Sequence, residues 1–126
     1  MARWVLNFAS FKKPNDIFDT VKSGAKTIET RPYNPKAKRN YSKVAEGDTL
    51  IFKSRDTGEK IERIATFVHL YNSIKKMSES EQVDSIMPGI NTPGELVEFF
   101  EEIKRKFGSS YAKKIEGYGI VAIGFK

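Results

Sequence analysis

Residues 22–33 read Lys22-Ser-Gly-Ala-Lys26-Thr-Ile-Glu29-Thr-Arg31-Pro-Tyr33, with two cations and a carboxylate within six residues shortly after Gly24. The lead-in predicts a short helix. Pro14, Asn15 and Asp16 suit its start, and Ile17, Phe18 and Val21 make one apolar face at helical spacing. Gly24 suits the left-handed position that stops it. Residues 27–31 then read as a strand, β-branched at 27, 28 and 30. Alternation points Ile28 one way and Thr27, Glu29 and Arg31 the other, with Lys26 at the turn. The Glu29/Arg31 pair has two readings. One is a solvated ion pair, worth little at a surface. The other is a polar constellation lining a cleft, Lys26 and Arg31 donating to an anion or a base edge and Glu29 accepting or orienting.

On the N-terminal side, residues 3–9 read as a first strand, Trp4, Leu6 and Phe8 alternating with Arg3, Val5 and Asn7. On the other side, residues 32–45 form a basic loop with Pro32, Pro35, Lys36, Lys38, Arg39 and Lys43, interleaved with Tyr33 and Tyr41. Prolines and asparagines argue against regular structure there. Cations with aromatic rings are the composition that holds single-stranded nucleic acid, phosphate against charge and base against ring. The plain alternative is a solvated loop whose tyrosines pack back on the sheet. Gly47-Asp48 is a turn into a strand at 49–52, ending at Lys53, Ser54 and Arg55, and Asp56-Thr57-Gly58 is a hairpin turn leading into a strand over residues 60–71.

Together, Gly24, Lys26, Glu29, Arg31 and Tyr33 resemble the G-x-K-x-x-E-x-R-x-aromatic signature of the ASCH (activating signal cointegrator homology) family of the PUA-like superfamily. Glu46-Gly47-Asp48 resembles that family's step into its next strand, and residues 119–125 resemble its closing strand. The resemblance spans nearly the whole chain. It implies an α+β fold, a PUA-like small mixed β-barrel of five to six strands with flanking helices, and a cleft beside the motif suited to nucleic acid or a nucleoside. It also implies that Ser54 and Arg55, just after the Gly-Asp strand, help to line that cleft. Some family members hydrolyse the amide of N4-acetylated cytidine with a lysine, a threonine three residues later and a distant glutamate. Lys26 matches the lysine, but Glu29 stands where that threonine belongs. Others are ribonucleases that need a metal.

The C-terminal half reads as helices and a last strand. Short helical turns are expected between 72 and 90. Thr92, Pro93 and Glu95 make a capped helix start, and the helix runs to about Phe107 with Leu96, Phe99, Phe100, Ile103 and Phe107 as its apolar stripe. Core packing is the plainer role for that stripe, a partner groove the sharper one. Residues 111–118 read as a basic turn. Residues 119–125 are almost wholly apolar, which suits a strand buried on both faces, as in a closed barrel.

At 126 residues the chain suits one domain, 1–126, able to bury a core without staples. The absence of cysteine excludes disulfides and thiolate metal sites, and a single histidine, His69, excludes a histidine metal cluster. No cofactor and no metal are expected. No stretch approaches a membrane span of ~20 apolar residues, and a cytoplasmic setting is the simplest expectation. Twenty-two basic against sixteen acidic residues give a net charge of +6, which favours polyanions.

The first expectation is a binding module for single-stranded RNA or a nucleotide, carried by Lys26, Glu29, Arg31, Tyr33, Lys38, Arg39, Ser54 and Arg55. The second is a hydrolase acting on modified nucleosides or RNA, with Lys26 and Glu29 as its catalytic pair, Glu29 as general base on a water. A third, a domain docking a protein partner, would be marked by a large exposed apolar patch.

Overall fold

Ile120–Phe125 (β5) is buried at every residue, and the reason lies in what flanks it. In the computed structural model, which describes the backbone of residues 1–126 and all side chains except those of residues 109–111, two apolar clusters sit on opposite faces of β5. Val121, Ile123 and Phe125 point into one, with Leu6, Phe8, Phe18, Leu50 and Phe52. Ile120 and Ala122 point into the other, with Met77, Ile86, Leu96, Phe100 and Ile115. A strand covered on both sides has no polar face, so its sequence shows no alternation.

The other strands are β1 (Arg3–Phe8), β2 (Ile28–Pro32), β3 (Thr49–Ser54) and β4 (Lys60–Tyr71). The sheet order is β1-β3-β4-β5-β2. β1 pairs with β3 in parallel and every other pairing is antiparallel. The sheet is therefore mixed, and it curls into a half-barrel. The curl comes from β4. Its first half pairs with β3, its second half with β5, and the register slips between Ala65 and Phe67. Such a bulge bends a strand and increases its twist. Gly124 lets the bent strand lie close, since a Cβ there would run into the Phe67 ring.

A closed barrel is not what forms. β1 and β2 are the two edges of the sheet and do not pair, so a seam runs between them. The Phe8, Phe52 and Phe125 rings fill the curl at 4.7–5.3 Å centroid spacings.

The helices are α1 (Asp16–Lys22), α2 (Ile74–Ser80), α3 (Val83–Ile86), α4 (Pro93–Phe107) and α5 (Ser109–Tyr118). α1 packs Phe18 and Val21 into the first cluster, and Gly24 follows at φ +86°. α5 corrects the expectation of a basic turn over 111–118. Ala112, Lys113, Lys114 and Glu116 tolerate a helix, and Ile115 is its anchor, buried against α4 and β5. Among its described residues Ile115 is the one that is buried.

Thr92 caps α4 as expected. Its hydroxyl accepts from the Glu95 N–H at 3.2 Å and donates to the Glu95 carboxylate at 3.1 Å. We expect Thr92→Ala to lower the unfolding free energy by about 1 kcal/mol in urea titrations, the ordinary worth of a cap. His69 pairs with Glu81 at 2.5 Å on β4, and the Tyr71 hydroxyl donates to the same carboxylate. Burial, then the hydrogen bond to Glu81 and its charge, pushes the Tyr71 pKa up to about 12. No described helix is long and apolar enough to cross a membrane.

Candidate functional site

The turn after α1 sends Lys26 inward rather than to the surface. It is 4% exposed. Its Nζ donates to the Ile28 carbonyl at 2.8 Å and the Ile86 carbonyl at 2.5 Å, and lies 3.5 Å from Glu29 Oε1. One ammonium thus ties the start of β2 to the end of α3. Burial pushes its pKa below the ordinary lysine value, and the neighbouring Glu29 carboxylate opposes that shift.

Glu29 and Arg31 share a strand face, as alternation requires, and they meet. Glu29 is buried. Its Oε1 accepts from the Thr30 N–H at 2.8 Å, and its Oε2 accepts from Arg31 Nε and Nη2 at 3.1 and 2.8 Å. Arg31 also donates from Nη2 to the Asn7 carbonyl at 2.9 Å. That bond crosses the seam, so a guanidinium spans the gap between β2 and β1. The rings of Phe8 and Tyr41 flank it at 5.4 and 5.7 Å. Glu29 is buried and Arg31 half-buried, and a surface ion pair does not describe them. Two cations share one carboxylate, which leaves the floor of the seam able to take an anion.

Above that floor is a cleft of about 560 Å³. Its near side is the β1 and β2 edges, with Asn7, Phe8, Glu29, Thr30 and Arg31. Its far side is α4, with Phe99, Ile103 and Phe107. Arg39, Arg55 and, from α5, Lys114 stand around it. The α4 stripe is therefore divided. Leu96 and Phe100 are buried in the second cluster, while Phe99 and its neighbours also wall the cleft. Phe11, in the loop after β1, meets Phe99 edge to face at 5.5 Å. The size is that of pockets that hold a small organic ligand, and a mostly apolar lining with a few convergent polar groups is their usual character.

Of the residues expected at a site, Lys26, Glu29, Arg31, Arg39 and Arg55 come together here. Three do not line the cleft. Tyr33 packs against the first cluster. Lys38 is exposed on its loop. Ser54 is 1% exposed, its hydroxyl bonded to the Asn15 side chain and accepting from the Asp56 and Thr57 N–H groups, so it holds the hairpin turn against α1. Tyr41 packs back on Trp4 at 5.9 Å and still faces the cleft. Sequence reading missed Asn7, Phe99 and Lys114 as cleft residues. Thr30 sits inside the motif, one residue from Glu29, and was legible. Asn7 becomes relevant only because β1 faces β2 across the seam.

No family model and no curated protein matches the chain. Two solved structures are similar to it along almost their whole length. One is the crystal structure of hypothetical protein PH0355, with 25% identity, a TM-score of 0.70, and coverage of 98% of this chain and 97% of that one. The other is the solution NMR structure of protein PF0455 from Pyrococcus furiosus, with 24% identity, a TM-score of 0.62, and coverage of 98% and 96%. Their likeness is to the barrel-like α+β fold as a whole.

Proposed function

We propose that this chain is a nucleic-acid-binding module that receives one nucleotide of a single-stranded RNA, or a free nucleotide, in the seam cleft. The observation that carries the proposal is the bonded Lys26–Glu29–Arg31 group on the floor of a cleft with aromatic walls and a cationic rim. A base needs a ring to stack on and polar partners at its edge, while a phosphate needs cations. Tyr41 and Phe99 supply the first, Arg31 and Asn7 the second, Arg39, Arg55 and Lys114 the third. The resemblance to the ASCH family supports the same reading.

The hydrolase reading has less support. The Lys26 ammonium is engaged by two main-chain carbonyls, and both Glu29 oxygens are bonded. Thr30, a lining residue of the cleft, adjoins Glu29 and is the residue to watch for turnover.

The test is a calorimetric titration with cytidine 5′-monophosphate, N4-acetylcytidine and a short single-stranded RNA, with product analysis of each mixture. Saturable binding without products is expected. Neutralising Lys36, Lys38 and Arg39 together should weaken RNA binding and flatten its salt slope by roughly 0.7 for each phosphate no longer neutralised. Salt-independent affinity would count against the module. Release of acetate or of RNA fragments would make it an enzyme.

A further inference from the structure

The outer face of β1, β3 and the first half of β4 carries charge that neither apolar cluster nor the cleft uses. Pairing register sets Asn7, Lys53 and Lys60 in one row across the three strands, with Val5, Ile51 and Glu62 in the next. A shallow groove runs over this face, lined by Arg3, Arg39, Lys53 and Lys60 with a single carboxylate, Glu62. Glu62 is occupied by Arg3 at 2.6 Å. Among the described residues, Lys53, Lys60 and Arg39 have no ion pair. Lys53 and Lys60 stand directly opposite each other on neighbouring strands, and like charges so placed destabilise a sheet. The fold has no use for that repulsion, and a bound anion would relieve it. Asn7 and Arg39 line both this groove and the cleft, so the two are continuous around the β1 edge.

We propose that the groove is a track for the phosphate backbone of a single-stranded nucleic acid, one nucleotide of which sits in the seam cleft. The partner is then a strand and not a free nucleotide, an inference that rests on the cleft being a nucleotide site. The path of the strand runs from the cleft past Asn7 and Arg39 to Lys53 and Lys60. A duplex does not fit this arrangement, because a paired and stacked base cannot enter a pocket while its own backbone follows the sheet. The Val5–Ile51 strip between the cations gives bases an apolar surface on which to rest.

The experiment compares the wild type with Lys53→Gln/Lys60→Gln, titrating cytidine 5′-monophosphate and a single-stranded RNA of about eight nucleotides at several salt concentrations. Lys75→Gln/Lys76→Gln, on exposed α2 positions, is the control for net charge. The groove variant should lose about tenfold in RNA affinity, and its log–log salt slope should shrink by about 1.4, the worth of two single-strand phosphates. Mononucleotide affinity should stay unchanged, and the melting temperature should hold or rise slightly, since the variant removes the Lys53–Lys60 repulsion. RNA affinity equal to wild type, with the mononucleotide still bound, overturns the track and leaves the cleft reading standing. A wild type that binds the RNA but no mononucleotide overturns the cleft reading, and the joined site with it. Equal loss in the control variant assigns the effect to overall charge and overturns the track.

Discussion

Lys26→Met should lower the unfolding free energy by about 3–5 kcal/mol, the range for removing one partner of a buried ion pair. Methionine nearly matches the lysine stem in volume, so packing is kept and the loss reports on the amine. The Ile28 and Ile86 carbonyls lose their Lys26 bonds, and the Glu29 carboxylate keeps only Arg31 and the Thr30 N–H. Each buried polar group left unpaired costs about 1–3 kcal/mol. Urea unfolding followed by circular dichroism checks this, with the midpoint expected to fall by about 2 M for a urea slope of roughly 2 kcal/mol/M. A loss under about 1 kcal/mol would mean that water reaches the amine. The effect also carries a pH signature. Lys26 has a folded pKa below the ordinary 10.5, so between the two values the unfolded chain binds more protons than the folded one. Stability of the wild type rises with pH in that window. The Met variant lacks the term, and the gap between the two proteins should widen as pH is raised toward 10.5, then level off.

Glu29→Gln should reduce affinity for the cleft ligand about 30-fold or more, roughly 2 kcal/mol, while the fold survives. The amide oxygen still accepts from the Thr30 N–H. What is lost is the charge that holds Arg31 in a two-pronged grip and aims it across the seam to the Asn7 carbonyl. A guanidinium freed from its carboxylate gives up the fixed planar geometry that base-edge or phosphate recognition needs. Calorimetry with the RNA used for the wild type measures the change, and circular dichroism confirms that the variant is folded. Retained affinity would show that Arg31 meets ligand without help from Glu29. If the wild type also releases product, unchanged turnover in Glu29→Gln would remove Glu29 from any catalytic role.

Local chemistry made much of this molecule legible in one dimension. The β2 alternation placed Glu29 and Arg31 on one face because a strand has a period of two whatever surrounds it. The α4 start was legible because a threonine cap, a proline and a glutamate act within one turn. β5 was legible as a doubly buried strand, since only a strand with cover on both faces can be so uniformly apolar. Residues 111–118 were not, because Ile115, the buried residue among those described in α5, packs against partners distant in sequence.

The motif, its strand face, the basic loop and the α+β class thus follow from the order of residues alone, since each depends on neighbours a few positions apart. Three features needed the folded chain. Lys26 went inside because the end of α3 brings the Ile86 carbonyl within reach. The half-barrel stayed open because β4 bends between two partners, leaving β1 and β2 as free edges. The cleft exists because that seam faces the Phe99 side of α4. Each is a meeting of segments tens of residues apart, and such meetings are decided by packing, for which no local pattern of side chains is a sign.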